Sequence, residues 1–360
     1  MPQQFRADLC KLLGVGAEHG ANLEIRDVVG DLTLVHYVAP TPGTAHVRGT
    51  IVDTAAGTIV CPAFPHVPEY GADEVEGLKF DASYTVAEAH EGIVLRAFRH
   101  GGRWQVATHH RIASGDKIYS KFLSVWEADG PTKWSDVFHA DKCYFLLLCH
   151  ASARVVSAGR TALFHIATLT RAEETWRVDV ARDSGLLSIP RMLRQLVKME
   201  IPDKAALAAA AAAAPAKDCA GLLVANEAFS VCYRVVSPEY RELCRLRGDG
   251  PIFQRFRELH AAGDDAGRGR LAGLYPDEHA DYANAVARLP KYLAALHRRR
   301  FVDREFLRLP GSEFHIVSRA EQDRANGTPI GDAIEGILRT STPQQVAGMV
   351  GRSVNGRAER

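Results

Sequence analysis

The chain has 360 residues, enough for about two domains, and 46% hydrophobic with 24% charged residues is ordinary globular composition, which excludes wholesale disorder. Its 44 Lys and Arg against 43 Asp and Glu leave a formal charge of +1, so a nucleic-acid partner has to be held by a local basic patch and not by an overall field. No apolar run approaches the length of a membrane span, and the early charge in Met1-Pro2-Gln3-Gln4-Phe5-Arg6-Ala7-Asp8 predicts no secretory signal. Seven scattered cysteines (Cys10, Cys61, Cys143, Cys149, Cys219, Cys232, Cys244) contain no CxxC. They read as buried thiols of a reducing compartment, so an intracellular location, cytoplasmic or nuclear, is expected.

In chain order, residues 8–70 alternate and turn often. Leu23-Glu24-Ile25-Arg26, the run from Leu32 to Val38 and the run from Gly49 to Asp53 predict short strands between Gly, Asp and Pro signals. Gly92 to Arg99 and Arg103 to Thr108 predict a hairpin, because His100-Gly101-Gly102 supplies the glycines of a tight turn. A short helix is expected over 116–128, a buried strand over 144–149 and another strand over 161–168. Ile189-Pro190 opens a helical pattern through Met192, Leu193, Leu196 and Val197. The alanine tract from Ala208 to Ala214, in a segment 204–217 that includes Pro215, reads as a solvated helix or a linker insert. Residues 221–224 and 230–236 predict strands. From Ser237-Pro238 onward the pattern is helical, with further starts at Pro276-Asp277-Glu278 and Thr342-Pro343-Gln344-Gln345. A β-rich part precedes an α-rich part, which predicts an α+β body over 1–245 and an α-helical C-terminal domain over 246–360.

No GxxxxGK[ST], GxGxxG, HExxH or GxSxG occurs, which argues against P-loop, Rossmann, zincin and α/β-hydrolase chemistry. His139, Cys143, Cys149 and His150 lie close together, but neighbours on a strand point to opposite faces and cannot converge on one tetrahedral ion. The same objection applies to His109-His110 as a metal pair, although one of them can face a ligand. No metal site is expected. Local basic clusters occur on the hairpin, at 240–248 and at His297-Arg298-Arg299-Arg300-Phe301; those in the helical tail also suit helix ends.

The succession Arg48-Gly49-Thr50-Ile51-Val52-Asp53, Thr58 to Pro65, Glu88 to Arg96, Trp104 to Ile112, Phe145 to Leu148, Ala220 to Val224 and Tyr233 to Tyr240 resembles the covalent nucleotidyltransferases. Within them it resembles the phage-type RNA ligases of the tRNA-repair class and ligase-like proteins of large DNA viruses. The likeness spans roughly residues 45–245 at low identity and rests on the order and spacing of several weak motifs. It implies a nucleotidyltransferase-like, ATP-grasp-like α+β body of antiparallel sheets flanking a groove, followed by the helical domain. In that family a lysine attacks the α-phosphate of ATP and carries AMP as a phosphoramidate, and carboxylates hold the divalent metal.

Carried over position by position, Glu91-Gly92 matches the acid-glycine pair of the first motif, but the nucleophile position is Ala89. The third-motif glutamate falls on Leu146, the Glu-Gly pair of the fourth on Ala220-Gly221, and the paired lysines of the last on Arg234 and Val236. Alanine cannot attack phosphorus, and Leu146 and Val236 can neither ligate metal nor neutralise phosphate. The resemblance therefore implies a ligase-derived protein that keeps a groove for RNA or nucleotide and has lost covalent chemistry. Its candidate binding residues are Arg48, Glu91, Gly92, Arg96, Trp104, Arg111 and Arg234. Arginines would hold phosphates, Glu91 a ribose or metal, and Trp104 would pack the hairpin or stack a base. Two alternatives stay open: an active RNA ligase using ATP and Mg with Lys79 or Lys117 as the displaced lysine, and a structural or interaction protein on the same fold. A protein partner for the helical tail is compatible with each.

Overall fold

Phe5, Leu9, Leu12 and Leu13 recur at helical spacing, and Gln3–Leu13 forms α1, whose Leu9, Cys10 and Leu13 bury against Leu23, Val35 and Val52. This helix precedes the turn-rich strand region and is an addition to the elements expected from the sequence. The computed structural model describes residues 3–63, 66–81, 83–113, 115–128, 133–150, 155–156, 161–172, 175–179, 193–226 and 231–355. The chain divides into two compact units, 1–241 and 242–360.

The first unit is built on three sheets, where two facing sheets are the simplest form of the expected groove. Strands β1 (Leu23–Val29), β2 (Leu32–Tyr37), β3 (Thr50–Asp53) and β4 (Thr58–Cys61) form an antiparallel meander. After β5 (Glu69–Gly71) and β6 (Thr85–Ala89) come the hairpin β7 (Ile93–His100) and β8 (Arg103–Ala107). Its two turn glycines, Gly101 and Gly102, both have positive φ, the requirement of a two-residue turn that keeps strand twist. Helices α2 (Asp116–Glu127) and α3 (Trp134–Val137) precede β9 (Lys142–Cys149), β10 (Ala162–Ala172) and β11 (Thr175–Asp179). The second sheet has the order β11-β10-β9-β7-β8, with β12 (Leu193–Gln195) parallel to β10.

The third sheet gathers β13 (Lys198–Met199), β6, β14 (Gly221–Ala225), β15 (Cys232–Val236) and β5, the last pair parallel. The sheets are thus not wholly antiparallel. The helical pattern expected from Ile189 is replaced at Leu193 to Met199 by two edge strands; Ile189, Pro190 and Met192 lie outside the described residues. Leu193 is buried beside Leu163, and the two strands pair backbone groups that an open edge would leave unpaired.

One face of the second sheet, with Phe98, Phe145, Leu147 and Phe164, packs on Leu34 and Ile51 of the first sheet and Ala225 and Cys232 of the third. Its other face carries Leu95, Leu146 and Leu148 against Phe122, Trp126 and Phe138 of the α2–α3 region. The alanine tract forms α4 (Lys204–Ala213), capped by Asp203, whose carboxylate accepts from the Ala206 N–H at 2.8 Å. It is neither solvated all round nor a linker, because Leu207 and Ala211 bury against Val86, Leu222 and Val224.

Helix α5 (Pro238–Arg247) crosses the division between the units. The second unit continues with α6 (Ile252–Ala261), α7 (Asp265–Leu274), α8 (Pro276–Ala287), α9 (Leu289–His297), α10 (Gly311–Ala325), α11 (Ile330–Thr340) and α12 (Pro343–Asn355). Its core includes Phe256, Leu271, Leu293, Val317, Ile334 and Met349. Among the described residues no helix is long and apolar enough to cross a membrane.

Candidate nucleotide and RNA site

Three motif positions far apart in the chain lie on one rung of the third sheet. Ala89 pairs with Gly221, and Gly221 pairs with Val236. Gly221 has φ +142°, and a Cβ there would come within 2.1 Å of the Val235 carbonyl oxygen, so only glycine serves. The Ala220 N–H donates to the Ala89 carbonyl at 2.7 Å and extends the ladder. Two residues along, Leu223 pairs with Ala87 and with Arg234. Side chains two apart share a strand face, so Ala89, Leu223, Arg234 and Val236 stand on the same side of the sheet. Arg234 forms an ion pair with Glu69 and lies 5.9 Å from the centre of the Tyr240 ring. At the Ala89 rung this side offers methyl and isopropyl groups, with no amine or carboxylate.

Glu91 is held by the chain itself, its carboxylate accepting from the Val155 N–H at 2.8 Å and the Val156 N–H at 3.0 Å. Gly92 is there for close approach, since a Cβ would sit 2.7 Å from the Leu148 carbonyl oxygen. Leu146 is fully buried on the α2–α3 side of its sheet.

Arg96 is not the phosphate contact expected of it. It is 1% exposed, and its guanidinium donates to the backbone carbonyls of Gly49, Pro62 and Thr108, the last at 2.6 Å. A cation buried in this way is stabilised by carbonyl dipoles and has a structural role. Trp104, half-buried, packs edge-on to Trp134 at 5.6 Å and to Phe138 at 5.9 Å, which is the packing role expected as one of its two options. Arg111 is exposed, directly after His109 and His110.

Arg48 belongs to a cluster that the motif pattern only half disclosed. Gly49, at φ +79°, runs so close to β8's exit that a Cβ would lie 2.7 Å from the His109 carbonyl oxygen. Arg48 is thereby held beside His109 and His110, whose ring centres are 4.1 Å apart. His36, at the end of β2, stacks on His110 at 5.4 Å, and its Nε2 is buried with no hydrogen-bond partner. The neighbouring Tyr37 hydroxyl meets His66 Nδ1 at 3.2 Å. Burial, followed by Arg48, lowers the His109 pKa to about 3. His36, His66 and His110 are lowered too, burial being the largest cause in each. Near neutral pH these rings are uncharged, and Arg48 supplies a fixed positive charge among them. The sequence pattern gives little sign of His36, Tyr37 and His66; the available signal was a His-Tyr pair ending the mostly apolar, wholly buried strand Leu32–Tyr37.

A cavity of about 370 Å³ opens at His66 and is also lined by Tyr70, Lys79 and Tyr233, with no Asp or Glu among the described lining residues. The Tyr233 hydroxyl donates to the Lys79 carbonyl at 2.8 Å. Lys117, the other substitute lysine, lies exposed on α2. Among the described residues no group of three or more His, Cys, Asp or Glu is placed to hold a metal ion.

No family model and no curated protein matches the chain. Among solved structures, one form of an archaeal ATP-dependent RNA ligase is similar at 12% identity and TM-score 0.47, with 79% of this chain and 82% of that chain covered. A second form is similar at 10% identity and TM-score 0.45, covering 99% of each chain. An Aquifex aeolicus protein described as an ATP-dependent DNA ligase is similar at 10% identity and TM-score 0.43, again over 99% of each. All three scores lie below 0.5, a level at which overall likeness carries no argument about fold family or function.

Proposed function

We propose that the first unit is an RNA-ligase-type nucleotidyltransferase fold that holds RNA or a nucleotide without forming a covalent bond to it. The observation that carries this reading is the shared rung of Ala89, Gly221 and Val236. In the ligase family these three motifs act on one bound nucleotide, so a chain built on that pattern has to bring the three positions together. Here segments remote in sequence meet in that arrangement, with an alanine in place of the attacking amine. The residues at the rung do not fit a bound Mg ion, because none carries a carboxylate, amide or hydroxyl side chain and they are paired across the sheet, and no catalytic step follows through ATP and metal. Binding remains chemically reasonable. Arg48 offers a guanidinium for phosphate, and the imidazoles and tyrosines around it offer faces for bases.

The test uses ATP or GTP labelled at the α-phosphate, incubated with the protein and a divalent metal before denaturation. The expected result is no protein-bound label that survives alkali and is released by acid. Such label would overturn the non-covalent reading. In parallel, Arg48→Glu should weaken binding of a short RNA at low salt, where phosphate contacts are strongest. Absence of any RNA or nucleotide binding there would favour a structural or interaction protein.

A second reading, an active ATP-dependent ligase, draws on the position of Lys79 in the wall of the 370 Å³ cavity. It requires label that disappears in Lys79→Ala. The likeness to ligase-like proteins of large DNA viruses rests on the motif order alone. Six of the seven free cysteines are buried, which supports an intracellular location.

A further inference from the structure

We infer that the segment after α9 in the C-terminal unit is a stacking site for single-stranded RNA, with Phe306 as the platform and Arg304 and Arg308 as phosphate contacts. Phe306 is 99% exposed, an unusual position for a large apolar side chain in a folded protein. The segment is anchored there, because the next residue, Leu307, is buried and its carbonyl accepts from Arg300 Nη1 at 3.0 Å. Arg300 in turn lies 4.9 Å from the centre of the Phe314 ring.

The charges around Phe306 are sorted. Asp303 is 3.7 Å from Arg298, and Glu305 is 2.7 Å from Arg299, so both acids of the segment already have cations. Arg304 and Arg308, which flank Phe306, have no acidic partner among the described residues, and both are exposed. Arg304 also has φ +57°, the only non-glycine positive φ among the described residues and a conformation usually given to Gly or Asn at a helix end. An exposed aromatic ring with an unmatched arginine two residues to either side in the chain suits one base and its flanking phosphates. A bilayer would want a continuous apolar face, whereas Val302 and Phe306 are separated by Asp303, Arg304 and Glu305.

This site does not depend on the groove proposed for the first unit. The experiment measures binding of the full chain to a short fluorescent oligouridylate across a salt series. Phe306→Ala should weaken binding about tenfold, Phe306→Leu should weaken it as much, and Phe306→Trp should bind at least as well as the parent. Replacing both Arg304 and Arg308 by Ala should reduce the slope of log affinity against log salt by about 1.4, or about 0.7 per lost phosphate contact. Arg304→Asn keeps a residue that tolerates this backbone, so it should lose affinity with no fall in Tm. Parental affinity in Phe306→Ala, or in Phe306→Leu, would overturn the site. So would Phe306-dependent sedimentation with phosphatidylserine vesicles while RNA affinity stays unchanged. Arg48→Glu leaves this segment intact, so failure of the groove and failure of the stacking site are read separately.

Discussion

At the scale of single residues, Arg96 shows how one atom group can hold two sheets in register. Its guanidinium on β7 reaches the Gly49 carbonyl at the entrance to β3 and the Pro62 carbonyl just beyond β4. Removing the donors leaves buried carbonyls unpaired, each costing about 1–3 kcal/mol. Arg96→Met should therefore lower the free energy of urea unfolding by about 3 kcal/mol, with Arg96→Lys recovering little because lysine lacks the planar fork. A loss well under about 1 kcal/mol would mean that the fork is not structural.

His109 makes a second prediction, in pH. Its folded pKa of about 3 lies below the ordinary 6.5, so between those values the unfolded chain binds more protons. Stability contributed by the neutral ring is present above about 6.5 and is lost as pH falls toward about 3. The urea midpoint should decline with acidification through that window, and less steeply in His109→Gln. An identical decline in that variant would place the sensitivity in other groups.

At the scale of elements, end signals proved the easiest to read. Pro276 opens α8 as expected, and α12 starts from a capping box. There the Gln345 side chain accepts from the Thr342 N–H at 2.9 Å, and the Thr342 hydroxyl accepts from the Gln345 N–H at 3.3 Å. Interiors were harder. The alanine tract has few large side chains, so its composition could not reveal a packed face. Contacts with Val86, Leu222 and Val224 decide that Leu207 points inward. Leu207→Ala should cost about 3 kcal/mol in chemical unfolding, and Ala212→Gly on the exposed side about 1 kcal/mol. A solvated linker would register neither. The strands at Leu193 to Met199 misled for a related reason: five or six residues with helical spacing are too few to outweigh two sheet edges that need partners.

At the scale of the whole molecule, the succession of strand segments and the helical remainder were legible, because alternation, turn glycines and helix-start residues act within a few positions of the chain. The side-chain chemistry at the proposed motif positions was legible too: Ala89, Leu146 and Val236 offer neither an amine nor a carboxylate in any fold. The absence of acid-labile adenylate on the protein is the prediction that belongs at this scale. What needed three dimensions was convergence. Only pairing across strands brings Ala89, Gly221 and Val236 to one rung, and only the close pass of Gly49 beside His109 sets Arg48 among His36, His109 and His110. Burial, likewise a property of the folded chain, turned Arg96 into a structural cation and left Phe306 in water. Local chemistry is written residue by residue, whereas exposure and juxtaposition depend on contacts between residues distant in sequence, which no short window contains.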